Sequence, residues 1–363
     1  MNIAFYSPLK SPNHPVPSGD RLMARQLIAA MRQAGHTVTV ASELRSFTPT
    51  PEGDDLPALR LAAEAEVDRL SDEWRAAAKP DVWFTYHTYY KAPDLIGPVL
   101  ARRFGLAYMT AEASYSRRRN IGVWAQAQAE LVEAVAMAAA NICFTQRDRQ
   151  GLEQAVPSAS LVMLPPFLDP GPFLALPPKP EPGRLITVAM MRPGDKMASY
   201  RLLAAALERI VDLPWTLSVV GDGPARDEVR ALFSPFSPGR VIFHGERTPA
   251  EIASLLSQSA VYVWPGCGEA YGLAYLEAQA AGLPVVAQAT AGVPEVVSHG
   301  ATGLLTPPDD PAAYGESIAR LLLDEPERQA LAAAARNFAR DERSMARASV
   351  ILDDILKRLQ ANA

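Results

Sequence analysis

The chain has 363 residues, a length that suggests two domains at roughly 150 residues each. Apolar residues make up 48% and charged residues 21%, which excludes disorder as its main state because there is ample apolar area to offset chain entropy. Lys and Arg number 35 against 40 Asp and Glu, and the net charge of −5 argues against bulk nucleic-acid binding, which needs a basic surface.

The sequence also bounds the compartment. The start, Met1–Pro8, has no basic region and only a short apolar run, so it is not read as a signal peptide, and we expect a cytoplasmic protein. No run of about 18 uncharged apolar residues is present, so nothing is expected to span a membrane. Association with the inner face of a membrane, through a helix or a basic loop, stays open. Cys143 and Cys267 are expected to be buried thiols in a reducing environment.

Short apolar strands alternate with amphipathic helices through the first half of the chain. This alternation predicts a parallel sheet with helices on both faces. The predicted strands are Ile3–Tyr6, Thr37–Ala41, Val82–Tyr86, Ala107–Thr110, Ile142–Thr145 and Leu161–Leu164. The predicted helices are Arg21–Gln33 and residues 58–78, 93–104, 123–138 and 146–153.

A proline-rich segment then interrupts the pattern. Residues 165–182 contain eight prolines, a density that argues against a regular helix or a central strand. We interpret residues 169–182 as a linker between a first domain, 1–168, and a second domain, 183–342. The last segment, 343–363, holds an amphipathic helix with no strand after it.

The second half repeats the alternation without a detectable sequence repeat. Strands are predicted at Leu185–Met190, Thr216–Val220, Val241–His244, Val261–Trp264 and Val285–Ala287. Helices are predicted at residues 198–210, 224–233, 249–257, 271–281, 310–323, 326–339 and 345–359. The expected fold class is therefore α/β, with two Rossmann-like doubly wound domains facing a cleft. Ligands of such sheets bind at the carboxyl ends of the strands, so the loops there should carry the chemistry.

The most informative stretch is 264–287. A strand ends at Trp264, a glycine-containing loop follows, and a helix is predicted to start near Tyr271. Free backbone N–H groups at a helix start form a natural phosphate site. Glu269 lies in the loop before that helix and Glu277 about two turns into it, where a carboxylate accepts hydrogen bonds from a polyol such as a ribose.

This stretch resembles the donor motif of the GT-B glycosyltransferases, and within them the retaining family 4, or glycosyltransferases group 1. The motif is two glutamates separated by seven residues, followed by Ala-x-Ala-x-Gly-x-Pro-Val-Val-Ala, and it matches from Glu269 to Ala287. The resemblance continues at 221–224, 291–297 and 300–305. It covers 184–340 well and 1–165 more loosely.

The resemblance implies roles for the second domain. Glu277 would bind the ribose hydroxyls and Glu269 the transferred sugar, while backbone amides at Tyr271, Gly272 and Leu273 would hold the distal phosphate. Two further groups complete this donor site by resemblance: a cationic pair that grips the diphosphate, Arg192 and Lys196, and a loop near the base, His244, Gly245 and Arg247. The two cations would also stabilise charge on the leaving diphosphate, and one of only six lysines in the chain stands there. A pair of solvated surface charges is the alternative.

The resemblance implies that the second domain, 183–342, binds the nucleotide sugar and that the first domain, 1–168, binds the acceptor. It also implies that the helix in 343–363 crosses back to pack on the first domain. This first domain departs from the family pattern. Gly19 would approach the donor phosphate, and Asp20 either joins it or caps the helix after it. Glu112 stands where many relatives carry a His, which makes it a candidate for sugar or acceptor contact. His87 is a second candidate, although a lone His is more often structural. The basic run Arg117–Arg119 either meets an anionic acceptor, a lipid phosphate or a membrane surface, or is a solvated loop.

The function implied is transfer of a sugar from a UDP- or GDP-sugar to a hydroxyl acceptor with retention of configuration, in bacterial polysaccharide or glycoconjugate synthesis. The acceptor would be a glycan, a lipid-linked compound or a small molecule. Neither a metal nor another cofactor is expected, because cations and helix ends neutralise the diphosphate. Two alternatives stay open: a non-catalytic GT-B partner protein, and an epimerase or sugar phosphorylase on the same fold.

Overall fold

The computed structural model describes residues 1–16 and 18–361. Pro17, in the predicted turn before Gly19, and residues 362 and 363, at the end of the predicted C-terminal segment, lie outside these ranges. The contacts divide the chain into two compact units. Unit 1 is Met1–Pro165 together with the segment from Met345, and unit 2 is Pro166–Ser344.

Unit 1 is a six-stranded parallel sheet with flanking helices. Its strands are β1 (Asn2–Tyr6), β2 (Thr37–Ser42), β3 (Val82–Tyr86), β4 (Ala107–Ala111), β5 (Ala140–Cys143) and β6 (Leu161–Met163). Its helices are α1 (Gly19–Gln33), α2 (Asp55–Ala76), α3 (Gly97–Phe104), α4 (Gly122–Met137), α5 (Gln146–Ala155) and α13 (Met345–Ala361). The strand order is β2-β1-β3-β4-β5-β6. Continuous apolar runs fit these strands because both faces of the sheet are covered; β3, for example, is buried at every position.

Unit 2 is a second six-stranded parallel sheet. Its strands are β7 (Arg184–Val188), β8 (Thr216–Val220), β9 (Val241–Gly245), β10 (Val261–Val263), β11 (Val285–Gln288) and β12 (Gly303–Thr306). Its helices are α6 (Gly171–Leu174), α7 (Asp195–Glu208), α8 (Arg226–Phe233), α9 (Pro249–Ser257), α10 (Leu273–Ala280), α11 (Pro311–Leu323) and α12 (Glu325–Asp341). The order is β12-β11-β10-β7-β8-β9, which is the Rossmann order. The predicted fold class of two doubly wound α/β domains is confirmed.

The strand orders place the candidate sites. Parallel sheets bind ligands where the chain reverses its direction of winding, because the loops leaving the two strands diverge there. In unit 2 this point lies between β7 and β10, which are followed by the loops that carry Arg192 and Glu269. In unit 1 it lies between β1 and β3, which are followed by the loop before Gly19 and by His87.

Several details differ from the sequence predictions. The proline-rich segment contains α6, a single turn that tolerates Pro172 because a proline fits the first turn of a helix. The segment 169–182 lies within unit 2 rather than between the units, and Lys179 N–H donates to the carbonyl of Ser257 at 2.7 Å. Strand β12 had no predicted counterpart, and Cys267, expected to be buried, is partly exposed. Among the described residues no helix is both long enough and apolar enough to cross a bilayer.

Gly221 and Gly223 hold the loop after β8 against the loop after β7. Both have positive φ, at 136° and 152°, and a Cβ atom on either would overlap the carbonyl group of Ala189 or Met191. The Met191 N–H also donates to the carbonyl of Asp222 at 2.9 Å. This close approach fixes the loop that carries Arg192.

We expect Gly221→Ala to lower the free energy of unfolding by about 2–4 kcal/mol, because it adds a backbone clash to an unfavourable φ. Urea unfolding followed by circular dichroism measures the change. Gly239→Ala is the matched control: its φ is 85°, but a Cβ there would meet nothing within 4 Å, so its cost should be only about 1 kcal/mol. Equal losses in the two variants would contradict the close-approach explanation.

Candidate active site

The loop after β10 brings Glu269 to Lys196. The loop turns tightly at Gly266, whose carbonyl accepts from Glu269 N–H at 3.0 Å. The Glu269 carboxylate then accepts from Lys196 Nζ at 2.5 Å, and Trp264 Nε1 lies 3.5 Å from the same oxygen. Lys196 Nζ also lies 5.5 Å from the centre of the Trp264 ring. The Glu269 side chain is 20% exposed and that of Lys196 31%, so this ion pair faces solvent from a partly buried position.

The two predicted diphosphate cations differ in their surroundings. Lys196 is the second residue of α7, where it is held by Glu269. Arg192 lies in the loop after β7, is exposed, and has no hydrogen-bond or ion-pair partner in the described part of the chain. Only Lys196 therefore contacts Glu269 and Trp264, while the Arg192 guanidinium is available to a ligand anion.

The start of α10 presents backbone amides. The helix begins at Leu273, and its N-cap residue is Gly272, so no side chain caps its first N–H groups. Gly272 has φ 79°, and a Cβ there would press into the Tyr275 ring, which explains the glycine. Tyr271 and Leu273 are only 7% and 8% exposed, so their side chains pack inward. Uncapped N–H groups and the positive helix end favour an anion here.

Glu277 lies on α10 four residues after Leu273, about one helical turn into the helix rather than the two predicted. Its side chain is half-buried, and within residues 1–16 and 18–361 no hydrogen-bond or ion-pair partner reaches its carboxylate. Burial raises the pKa of Glu277 to about 7. Burial raises the pKa of the Tyr262 hydroxyl, and Glu277 and Glu269 both act to raise it further, so both carboxylates lie within electrostatic range of that one group. A carboxylate that no protein donor reaches is suited to accepting hydrogen bonds from a ligand.

The residues predicted to lie near the nucleotide base make few contacts with the rest of the site. His244 Nε2 lies 3.1 Å from Ser218 Oγ on β8, so the His244 ring packs against the sheet. Burial, with help from Arg184, lowers the pKa of His244. Gly245 has φ 70°, with open space where a Cβ would stand, and Arg247 is exposed and lies 3.9 Å from Glu251. None of the three contacts Lys196, Glu269 or Glu277 through a described hydrogen bond or ion pair.

In unit 1 the structure joins Asp20, His87 and Glu112. Helix α1 begins at Gly19 and is capped by Ser18, so Asp20 is not the N-cap. Instead Asp20 Oδ1 lies 3.1 Å from His87 Nδ1. Glu112, only 7% exposed, interacts with His87 and with the Tyr86 hydroxyl. Gly19 is exposed, with no atom within 4 Å of where a Cβ would stand.

The charges in this trio depend on one another. Burial alone would lower the pKa of His87, but Glu112 and Asp20 raise it to about 9. Burial raises the pKa of Glu112 to about 7, although His87 acts to lower it. His87 is thus a charged group held between two acids, which the sequence did not indicate because Asp20 and His87 lie far apart along the chain.

We expect His87 to stay protonated at pH 8 and to lose its proton only near pH 9. Because Glu112 and Asp20 both raise this pKa, Glu112→Gln and Asp20→Asn should each move the midpoint to lower pH. Histidine labelled with ¹³C at Cε1 reports the titration by NMR, with His87→Gln to assign the resonance. A midpoint that stays in place in both variants would show that the trio is not coupled.

Part of unit 2 matches a known protein family. Residues 182–324 match the family model described as Glycosyl transferases group 1. D-inositol 3-phosphate glycosyltransferase from Frankia alni is 28% identical over 313 residues, which are 78% of this chain and 75% of that protein. Alignments with the same enzyme from Corynebacterium urealyticum and Corynebacterium diphtheriae span only 32% and 23% of those proteins. These three relatives are all named as glycosyltransferases.

Solved structures agree along the whole chain. Sucrose-phosphate synthase from Thermosynechococcus elongatus has a TM-score of 0.77 at 20% identity, covering 100% of both chains. HepE from Anabaena, in complex with UDP and glucose, has a TM-score of 0.69 at 17% identity, covering 98% of this chain and 99% of that one. These likenesses concern the fold. The resemblance carried by the donor motif is confirmed: residues 182–324 belong to the glycosyl transferases group 1 family, and the chain has the GT-B glycosyltransferase fold.

Proposed function

We propose that this chain transfers a glycosyl group from a nucleotide sugar to a hydroxyl acceptor with retention of configuration, and that it does so in the cytoplasm without a metal ion. The observation that carries the proposal is Glu277, a half-buried carboxylate without a partner among the described residues, on the helix that follows the loop of the Lys196–Glu269 pair. An unsatisfied buried carboxylate lowers the stability of the fold, and a bound ligand that donates hydrogen bonds to it would offset this cost.

Each group then has a task in the reaction. Glu277 accepts hydrogen bonds from the ribose hydroxyls, and the amides at the start of α10 bind the distal phosphate. Lys196 and Arg192 neutralise the diphosphate, first in binding and then as the bond from the anomeric carbon to the phosphate oxygen breaks. Glu269 orients the transferred sugar. The acceptor oxygen bonds to the anomeric carbon on the face that the diphosphate leaves, and a phosphate oxygen takes the acceptor proton.

The donor base and sugar are the first things to identify. UDP-glucose is the first donor to test, because the Anabaena neighbour was solved with UDP and glucose. Calorimetric titration with UDP, GDP and ADP in EDTA would identify the base. One of the three is expected to bind, with no change on adding Mg²⁺.

A turnover assay then separates an enzyme from a non-catalytic partner protein. Incubation with the UDP-, GDP- or ADP-sugar that matches the bound nucleotide and a panel of hydroxyl acceptors should give a glycoside with the donor's anomeric configuration, read by NMR coupling constants. Nucleotide binding without turnover on any acceptor would favour the partner protein. Absence of nucleotide binding would overturn the donor site itself.

A further inference from the structure

The first turn of α7 lies directly against the loop after β10. Gly268 in this loop has φ 64°, and a Cβ atom there would lie only 2.3 Å from Asp195 Oδ2 at the start of α7. No side chain larger than hydrogen therefore fits between the loop and the helix at this position. The segments that carry Lys196 and Glu269 are thus in contact through more than their ion pair.

Ser199, one turn into α7, makes a second polar contact with the loop. Its hydroxyl accepts from Cys267 N–H at 2.9 Å and donates to the carbonyl of Asp195 at 3.0 Å. Ser199 is completely buried. A serine hydroxyl has a single proton, and because Ser199 donates it to Asp195, the oxygen faces the loop as an acceptor. Ser199 therefore holds the backbone two residues before Glu269.

These two contacts respond differently to an anion, although Lys196 and Ser199 lie three residues apart on the same face of α7. The Lys196 ammonium is charged and partly exposed, so a phosphate competes with Glu269 for it. The Ser199 hydroxyl is neutral and buried, and its proton is already donated, so it offers a phosphate no hydrogen bond. We expect a bound diphosphate to break the first contact and to leave the second in place.

We propose that Ser199 is a positioning residue for the transfer reaction, which keeps Glu269 in place after Lys196 has moved to the diphosphate. Glu269 orients the sugar only when the donor is bound, and in that state the ion pair no longer fixes the carboxylate. A displacement of about 1 Å in a reacting site can lower the rate by about 100-fold. The effect of Ser199 on turnover rests on the proposed function, whereas its hold on the loop does not.

The kinetic test uses the donor and acceptor that wild type turns over. Ser199→Ala should lower kcat by about tenfold but change the Kd for the nucleoside diphosphate by less than about twofold. In the Glu269→Gln background, the same substitution should lower kcat by less than about twofold, because no carboxylate remains to be positioned. A purely structural role would lower kcat equally in both backgrounds.

Two further variants of serine guard against a simple loss of folding. Ser199→Cys keeps a side chain of similar shape but a weaker acceptor, so its kcat should fall between those of wild type and Ser199→Ala. Ser317→Ala on α11 is the matched control. The Ser317 hydroxyl donates to the carbonyl of Ala313, four residues earlier, at 2.9 Å, as Ser199 does to Asp195, but Ser317 lies outside this junction. Its substitution should change neither kcat nor Kd.

Hydrogen–deuterium exchange tests the hold on the loop without turnover. The Lys196→Met variant lacks the ion pair, as we expect of the diphosphate-bound protein. In that background, Ser199→Ala should speed amide exchange in a peptide covering residues 264–270 by at least about tenfold, since the loop then opens more often. Ser317→Ala in the same background should leave this exchange unchanged.

The proposal is wrong if Ser199→Ala leaves kcat unchanged, lowers it equally with and without the Glu269 carboxylate, or fails to speed exchange in the Lys196→Met background. Absence of turnover by wild type would overturn the proposed function, while the exchange result would still decide whether Ser199 holds the loop. Normal turnover by wild type with unchanged exchange in the variant would overturn the role of Ser199 alone.

Discussion

Replacing Glu277 by Gln is expected to weaken nucleotide binding by roughly 100-fold or more while making the protein more stable at alkaline pH. The loss of affinity follows from two hydrogen bonds between ribose hydroxyls and a carboxylate, each contributing about 1.5–3 kcal/mol when the acceptor is charged. A neutral amide accepts more weakly and offers only one oxygen. The Gln side chain keeps the volume of Glu277, so the helix around it should not change.

The gain in stability has a different cause, the removal of a buried negative charge. Burial raises the pKa of Glu277 to about 7, so between pH 4.5 and 7 the folded chain binds more protons here than the unfolded chain does. Stability therefore falls as pH rises through this window, by up to about 3 kcal/mol for this single group. The amide in the Glu277→Gln variant carries no such charge, and the advantage of the variant should be small at pH 5 and full at pH 8.

Two measurements on one pair of samples check this prediction. Thermal unfolding at pH 5 and pH 8 gives the stability difference, and calorimetry with the nucleotide that wild type binds gives the affinity. Glu316→Gln on α11 is the control, because Glu316 is exposed and its neutralisation should affect neither quantity. If the Glu277 variant lost affinity without gaining stability at pH 8, the carboxylate would already be satisfied within the protein, and the loss would need another cause.

The sequence predicted most of the architecture because both sheets are buried on both faces and read as apolar runs. It located Glu269 and Glu277, since a strand, a glycine turn and a helix leave little freedom in where those residues lie. It missed β12, whose Gly303-Leu304-Leu305-Thr306 is too short to stand out without its neighbour β11. It also excluded the single turn of α6, because proline breaks helix interiors but not first turns.

The relations among side chains were harder to predict. That Lys196 pairs with Glu269, 73 residues away, depends on how two loops meet at the winding reversal, which no local pattern encodes. The same holds for Asp20 and His87, where a helix-capping role looked equally reasonable from the sequence. The sequence pattern indicates Trp264 only as the end of a strand. Its ring lies beside Lys196, and an aromatic residue at that position is the one local sign of a cation site.

The Lys196–Glu269 pair makes the second large prediction, in which two variants of one ion pair behave differently. Lys196→Met should weaken binding of the nucleoside diphosphate by about 10–100-fold but leave binding of the nucleoside monophosphate nearly unchanged. Glu269→Gln should lower transfer by at least about 100-fold, since the carboxylate orients the sugar in the transition state. The same variant should bind the diphosphate at least as well as wild type.

The last expectation follows from the resting pair itself. Lys196 Nζ lies 2.5 Å from Glu269 Oε2, so a diphosphate must compete with a carboxylate for this cation. Removing the carboxylate charge frees the ammonium for the phosphate, and affinity is retained or increased while chemistry is lost. Calorimetry with the mono- and diphosphates, together with initial rates of transfer, separates the two variants. A parallel loss of diphosphate binding in both variants would show instead that the two residues form a structural ion pair. Lys196 and Glu269 would then not have separate roles in binding and transfer.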